Sequence, residues 1–331
     1  MMSVEKRLEL LERLGKYMLS DEAPWMETKD NASRQNAWFT KEHIDIAVEN
    51  IGQAYLRKEH LQEWIAAYKF PSQPKKVGIV MAGNIPLVGF HDFLCGFVSG
   101  HELHLKLSSK DERLLGHLIR KMIEWEPQVA TQVHIAENLK HCEAYIATGS
   151  NNTARYFEQY FGKYPNIIRK NRTSVALLEG DETEDELTEL AKDVFTYYGL
   201  GCRNVTQLCV PHGYDFSKLL EVLKVYDEYI LHHKYKNNYD YHFAIYLLNK
   251  VPFLTNELVM LVENELPFSA VSVLHYRYYT DVKTLARELE TRNDIQTIVG
   301  RGFTPFGAAQ KPSLNDYADG VDTMDFLCSL K

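Results

Sequence analysis

The chain has no run of 18 apolar residues, so no membrane-spanning helix of the length a bilayer demands is expected. Its N-terminal stretch, MMSVEKRLELLERLGKYM, alternates charge with leucine and lacks the apolar centre of a signal peptide. Cysteine is sparse: five occur in 331 residues, an odd number without framework spacing. That excludes a disulfide scaffold and predicts reduced thiols in the cytoplasm. Without a secretion signal, the Asn-x-Ser/Thr triplets at Asn151, Asn171 and Asn204 are chance matches. Positive charge is not in excess either, the formal net charge being −8. Nucleic acids and anionic membranes reward a basic surface, so neither is an expected partner. Both common glycine-rich nucleotide signatures, GxGxxG and GxxxxGK[ST], are missing, and any nucleotide must be held another way.

What remains is ordinary globular composition, 45% hydrophobic and 25% charged, at a length that fits two closely packed domains. Leu8, Leu11 and Leu14, then Ile44, Val48, Ile51 and Tyr55, recur at helical spacing and predict helices to about residue 70. After Pro71–Pro74 the rhythm changes. VGIVMA reads as a strand, GNIP as a turn, LVGFHDFLCGFVSG as a helix ending at Gly100, and HELHLKL as a second strand. Ser109 to Glu112 reads as a capping box before a helix with Leu114, Leu115, Leu118, Ile119 and Met122 on one stripe. VHIA and AYIAT are short strands, Ser150 caps the next helix, and SVALL is a further strand. A second capping box, Thr183 to Glu186, opens the helix leading to Gly199 and Cys202; QLCVP leaves that loop as a strand. Helices are expected to dominate to about residue 265, followed by the strand SAVSVLHY and a loop-like tail. Strands separated by crossover helices predict parallel, doubly wound sheets.

Four short segments carry chemistry. Cys202 stands between Gly199, Gly201 and Arg203, where a thiol is accessible; alone it reads equally as a structural loop cysteine or a nucleophile. Asn84 in GNIP follows the first strand of the parallel sheet, at the end where ligands collect, and its amide can donate to an oxyanion. The plain alternative is a turn asparagine. Lys106 ends HLKL and is followed by Ser108, Ser109 and Lys110. Thr148-Gly149-Ser150 precedes a helix whose start, SNNTARY, holds no acidic residue before Glu158, leaving its positive end available to a phosphate. For these two the alternatives are a solvated lysine and a plain serine cap. The strongly polar segment around His232, His233 and His242 reads as a solvated helix rather than a metal site. His91 and Asp92 read as a packing pair, and RKNR (169–172) as either a solvated turn or a contact for coenzyme A phosphates.

In that order GNIP, KLSS, TGS, GLGC, ENELPF and PFGAAQ resemble the aldehyde dehydrogenase superfamily, and within it the LuxC-type acyl-CoA reductases. The resemblance covers most of residues 75–331. It implies an α/β, aldehyde-dehydrogenase-like fold of two doubly wound parallel-sheet domains, cofactor-binding and catalytic, with a helical N-terminal region. Residues 1–170 would carry the helices and the Rossmann-like cofactor domain, 171–305 the catalytic domain, and 306–331 a tail packing back on the active site. By the same resemblance Cys202 is the nucleophile, with Asn84 and the Cys202 amide as oxyanion donors. Lys106 would hold the adenosine ribose, and Gly149 and Ser150 the pyrophosphate. Glu265, with Glu263 as the neighbouring alternative, would hold the nicotinamide ribose. Pro305, Phe306 and Gly307 match the family's C-terminal active-site loop.

Two departures from the superfamily sharpen this. Hydrolytic members have a glutamate about thirty residues before the cysteine to activate water; the matching stretch here is Arg169-Lys170-Asn171-Arg172, which suits reduction of an acyl thioester over hydrolysis. Three residues after Lys106, many NAD-preferring members carry a glutamate that grips the ribose 2′-hydroxyl. Ser109 and Lys110 stand there instead and would accept a 2′-phosphate, which favours NADPH over NADH. The expectation is thus NADPH-dependent reduction of a long-chain fatty acyl-CoA, or another acyl thioester, to the aldehyde through a cysteine acyl-enzyme. A non-acylating aldehyde dehydrogenase and a non-catalytic acyl-binding subunit are the rival readings. Oligomeric state is not legible.

Overall fold

Leucine and isoleucine spacing does produce helices at the start of the computed structural model, which describes residues 2–331. These are α1 (Val4–Met18), α2 (Ala23–Gln35), α3 (Lys41–Asn50), which runs on through a π-turn at Ile51–Tyr55, and α4 (Lys58–Ile65). The Ser3 hydroxyl caps α1 by accepting the Lys6 N–H, and Leu11, Leu14 and Ile44 are fully buried.

Alternation of strand and helix then begins: β1 (Lys76–Val80), α5 (Phe90–Ser99), β2 (Glu102–Lys106), α6 (Glu112–Trp125), α7 (Val129–Gln132), β3 (Val133–Ile135), β4 (Ala144–Thr148), α8 (Asn151–Phe161) and β5 (Asn166–Arg169). The five strands are parallel in the order β3-β2-β1-β4-β5. That order reverses direction between β1 and β4. At such a switch point the loops leaving the two strands diverge and leave a crevice for ligand.

A second sheet follows, built from β6 (Thr173–Leu177), α9 (Glu184–Phe195), a 3-10 turn at Thr196–Gly199, β7 (Val205–Pro211), α10 (Phe216–Leu223), α11 (His233–Leu248), β8 (Leu254–Thr255), β9 (Met260–Glu263), β10 (Val273–Tyr279), α12 (Val282–Thr291) and β11 (Ile295–Val299). Its order is β11-β6-β7-β10-β9-β8, parallel except for the edge strand β8, which runs antiparallel to β9. The chain divides into two units, Met1–Asn171 with Pro312–Lys331, and Arg172–Lys311.

The tail belongs to the first of these. Leu314, Tyr317 and, on α13 (Thr323–Cys328), Met324 and Leu327 are buried in its core. The Tyr317 hydroxyl meets Trp64 Nε1 at 2.8 Å and the Tyr68 hydroxyl at 2.7 Å, joining tail to N-terminal helices. Arg169, at the end of β5, reaches the same tail: it is 3% exposed, pairs with Asp92 on α5 at 2.5 Å and donates to Thr323 Oγ1 at 2.8 Å.

Several expectations need correction. Asp92 pairs with Arg169 and His91 meets the Leu314 carbonyl, so each of these neighbours has a partner distant in the chain. Arg169 is neither a solvated turn residue nor open to an external phosphate. The capping box at Ser109–Glu112 does not form: α6 begins at Glu112, and Asp111 at its N-cap position gives its carboxylate to Leu87 N–H instead. Strands β8 and β9 occupy 254–263, where helix was expected. Short apolar runs such as LVMLV do not distinguish strand from buried helix.

Candidate active site

In the first unit the expected oxyanion donor Asn84 and the expected cofactor residues Lys106, Ser109, Gly149 and Ser150 lie at or beyond the carboxyl ends of parallel strands. Asn84 follows β1, Lys106 ends β2 and is followed by Ser109, and Gly149 and Ser150 follow β4. Asn84, Lys106, Ser109, Lys110 and Ser150 are all exposed. The GNIP turn packs tightly on the loop after β2, because a Cβ built on Gly83 would collide with the Ser108 side chain. Asp111 fastens this arrangement, its buried Oδ2 accepting the Leu87 N–H at 2.7 Å. Leu87 takes a left-handed φ of 56°, a costly conformation for a branched residue that surrounding contacts must hold. Burial pushes the Asp111 carboxyl up to about 8, the Leu87 bond pulling the other way. Gln35 and Asn36, at the end of α2, donate to the Ser109 and Lys110 carbonyls.

Helix α8 keeps its positive end open. The Ser150 hydroxyl accepts the Thr153 N–H at 3.2 Å, and no acidic residue lies in the first turn of its 11 residues. A Cβ on Gly149 would press on Thr153 and Phe157 at 3.1 and 2.9 Å, so glycine lets the strand-to-helix turn close against the helix. These features fit a dinucleotide: exposed amides and hydroxyls at a switch point, a cationic side chain on the neighbouring strand, and a helix start free of carboxylates.

In the second unit Cys202 lies on the turn between α9 and β7 and is half-buried. The chain reaches it through Tyr197, Tyr198 and Gly199, three consecutive residues with positive φ. Asn204 holds this unusual path. It is fully buried, its Oδ1 accepts the Gly201 N–H at 2.7 Å, and its Nδ2 donates to the carbonyls of Asp193, Val194 and Thr196. Ser174 Oγ donates to the Cys202 carbonyl at 3.1 Å. None of the five cysteines is in a disulfide. Burial raises the thiol of Cys95 well above its ordinary value, that of Cys209 upward, and those of Cys142 and Cys328 to about 11.

Asp193 on α9 also reaches the tail-end loop of this unit. Its carboxylate accepts the Gly307 N–H at 2.7 Å and the Ala309 N–H at 3.0 Å. One buried helix end therefore fixes both the Cys202 turn and the segment carrying Phe306, which is half-buried. Gly307 has φ +79°, and a Cβ there would run into Glu189. Burial lifts the Asp193 carboxyl to about 6 against the two bonds that lower it. Glu263 ends β9 and is exposed. Glu265 is 79% exposed and lies 3.5 Å from Arg277. The segment carrying it runs back along the sheet, the Pro267 carbonyl accepting Thr206 Oγ1 at 2.5 Å beside the start of β7.

The acyl-CoA reductase (LuxC) family model matches residues 2–221. The chain belongs to that family. It is an oxidoreductase acting at the acyl or aldehyde level, and among curated protein sequences none matches it. Its fold is that of the aldehyde dehydrogenases. Aldehyde dehydrogenase 21 from Physcomitrella patens, solved with the product succinate, superposes with a TM-score of 0.67 at 12% identity, over 91% of this chain and 74% of that one. An NAD-dependent aldehyde dehydrogenase from Sinorhizobium meliloti gives 0.64 at 11% identity, over 90% and 70%. A betaine aldehyde dehydrogenase double mutant from Staphylococcus aureus, solved with NAD+ and a modified cysteine, gives 0.64 at 9%, over 90% and 72%. No helix of the described residues is long and apolar enough to cross a membrane.

Asp111, Asn204 and Asp193 are the residues that reasoning from sequence missed. Asn204 looked like part of a chance triplet and Asp111 like the second residue of a helix start. Nothing in a single sequence marks either as buried.

Proposed function

We propose that this chain reduces a long-chain fatty acyl-CoA, or another acyl thioester, to the aldehyde with NADPH, through an acyl group held on Cys202. The placement of Cys202 carries this reading. Cys202 is half-buried between Gly201 and Arg203, on a turn that a buried asparagine holds in place. A thiolate must be accessible to act as a nucleophile.

In the proposed reaction the Cys202 thiolate attacks the thioester carbonyl, and the Asn84 amide and the Cys202 backbone amide stabilise the oxyanion. The carbon–sulfur bond to coenzyme A breaks, leaving the acyl group on Cys202 and releasing the coenzyme A thiolate. A reduced nicotinamide, when bound, supplies the hydride for reduction of that acyl group. Cys202 then leaves as thiolate when the thiohemiacetal collapses to the aldehyde. Ser150 and Gly149 would receive the pyrophosphate, Lys106 the adenosine ribose, Ser109 and Lys110 a 2′-phosphate, and Glu265 with Phe306 the nicotinamide end. Arg169–Arg172 offers no carboxylate to activate water, so hydrolysis has no general base from that stretch.

The test is reduced-nicotinamide absorbance with a panel of acyl-CoAs, with Cys202→Ala and Asn84→Ala alongside. NADPH consumption with aldehyde formation is expected, abolished in Cys202→Ala. Losing one oxyanion donor commonly costs about 2.7–4 kcal/mol, so Asn84→Ala should fall by roughly 10²–10³ in kcat while retaining cofactor binding. Normal turnover in either variant refutes its assigned role. Folded protein inert to every acyl-CoA with both cofactors would instead support a non-catalytic acyl-binding subunit.

A further inference from the structure

The face of the first sheet that carries Lys106 also carries a second group of side chains. Glu102 and His104 are two residues apart on β2 and so point to one face. His134 on β3 is in direct register with His104, which places the two imidazoles side by side, their ring centres 5.0 Å apart. Glu102 Oε1 lies 2.9 Å from His104 Nε2 and 3.7 Å from His134 Nε2. One ligand atom from each of the three falls within 4.8 Å of the others, and all three residues are half-buried. β3 is an edge strand, so the group is open on its outer side. On its inner side Tyr145 and Cys142 pack over Gly78, which is in register with His104.

We propose that Glu102, His104 and His134 form a binding site for one divalent transition-metal ion of the zinc type. Two imidazole nitrogens and one carboxylate are a donor set suited to Zn²⁺ with a fourth position left to water. Bonds of about 2.0–2.1 Å in a tetrahedron put donors roughly 3.3 Å apart, and the two observed separations from Glu102 Oε1 bracket that value. The fit therefore needs only side-chain rotation, with the strand register already supplying the backbone. Imidazole donors select zinc, nickel, copper or cobalt over magnesium and calcium, which demand oxygen. Lys76 Nζ, 3.6 Å from the Glu102 carboxylate and half-exposed, now balances its charge and would swing away as the ion enters. Lys106 is two residues beyond His104 on the same strand, about 7 Å along it. A bound ion would thus add positive charge beside the end of the sheet where the proposed cofactor sits.

The measurement is calorimetric titration of Zn²⁺, with Mg²⁺ as a parallel arm, into the full chain carrying Cys202→Ser, so that capture of metal by that thiol does not count. One Zn²⁺ per chain is expected at micromolar affinity or better, with no heat from Mg²⁺. Glu102→Gln and His134→Gln, which keep size and polarity, should each weaken Zn²⁺ at least tenfold, and together abolish it. Protection of His104 and His134 from diethyl pyrocarbonate by Zn²⁺ reads the same site without any substitution at it. Absence of stoichiometric Zn²⁺ binding, undiminished binding in the double variant, or unprotected histidines would overturn the proposal. None of these readouts depends on catalysis, so they stand or fall apart from the assigned reaction.

Discussion

Replacing Asp111 by asparagine should change how stability depends on pH more than it changes stability itself. Asp111 Oδ2 accepts the Leu87 N–H, while Oδ1 is buried without a partner. Burial lifts its carboxyl to about 8, against about 3.9 for a free aspartate. Between those values the unfolded chain has released the proton and the folded chain has kept it. A folded pKa above the unfolded one gives a contribution that is full below about pH 4 and lost as pH rises through about 8. Each unit is worth about 1.4 kcal/mol, so the whole window amounts to on the order of 5 kcal/mol. Asparagine keeps an acceptor for Leu87 and does not titrate. Its amide leaves a buried N–H unpaired at a cost of about 1–3 kcal/mol, but that cost is a constant offset rather than a slope. Urea unfolding at intervals from pH 5 to pH 8 measures both proteins, and their difference cancels every other titrating group. Wild type should lose about 1.4 kcal/mol per pH unit relative to Asp111→Asn. Parallel curves would refute the burial argument and the role of Asp111 in holding the Asn84 turn.

Asn204→Ala should cost roughly 3 kcal/mol, because it strands the buried Gly201 N–H and three carbonyls; chemical denaturation measures this, and the labelling rate of Cys202 reports the loosened turn. Arg169→Met should cost about 3–5 kcal/mol by leaving Asp92 buried and unpaired, whereas Asp92→Leu combined with Arg169→Met should recover most of it. Thermal unfolding of these two variants beside wild type settles the comparison.

What the sequence makes legible follows from which signals are local. Strand–helix alternation from Val77 to Thr148 and the open start of α8 at Ser150 are written in neighbouring residues. So is the capping box at Thr183, whose hydroxyl accepts the Glu186 N–H while Glu186 accepts the Thr183 N–H. Partners distant in the chain are not written there. Arg169 sits in a basic tetrapeptide that looks solvated until Asp92, 77 residues earlier, is found against it. Charged residues are rarely fully buried unless paired, and a single sequence does not reveal the pair. Ser109 fails as a cap for the same reason. The local pattern is correct, but the carboxylate of Asp111 is claimed by a loop 24 residues away.

Asp111 and Asp193 show one device used twice, neutral in the first case and charged in the second at neutral pH. Each is a buried aspartate accepting backbone N–H groups from a loop that carries proposed catalytic or cofactor residues. Asp193, lifted only to about 6, is ionised at pH 7, and a charged acceptor makes its two bonds to the Phe306 loop the stronger kind. Asp111, lifted to about 8, is still protonated there. Below about pH 6 protonation weakens the two bonds that Asp193 accepts, and above about pH 8 ionisation places a charge at the buried Asp111, which still accepts the Leu87 N–H. Turnover should trace a bell with limbs near those values. Asp111→Asn should preserve activity at pH 9 and remove the alkaline limb. Asp193→Asn, with one acceptor for two N–H donors, should hold turnover at pH 7.5 to the wild-type acid-limb level and remove the acid limb. Limbs unmoved by either substitution would assign them to other groups and leave the two aspartates a purely structural role.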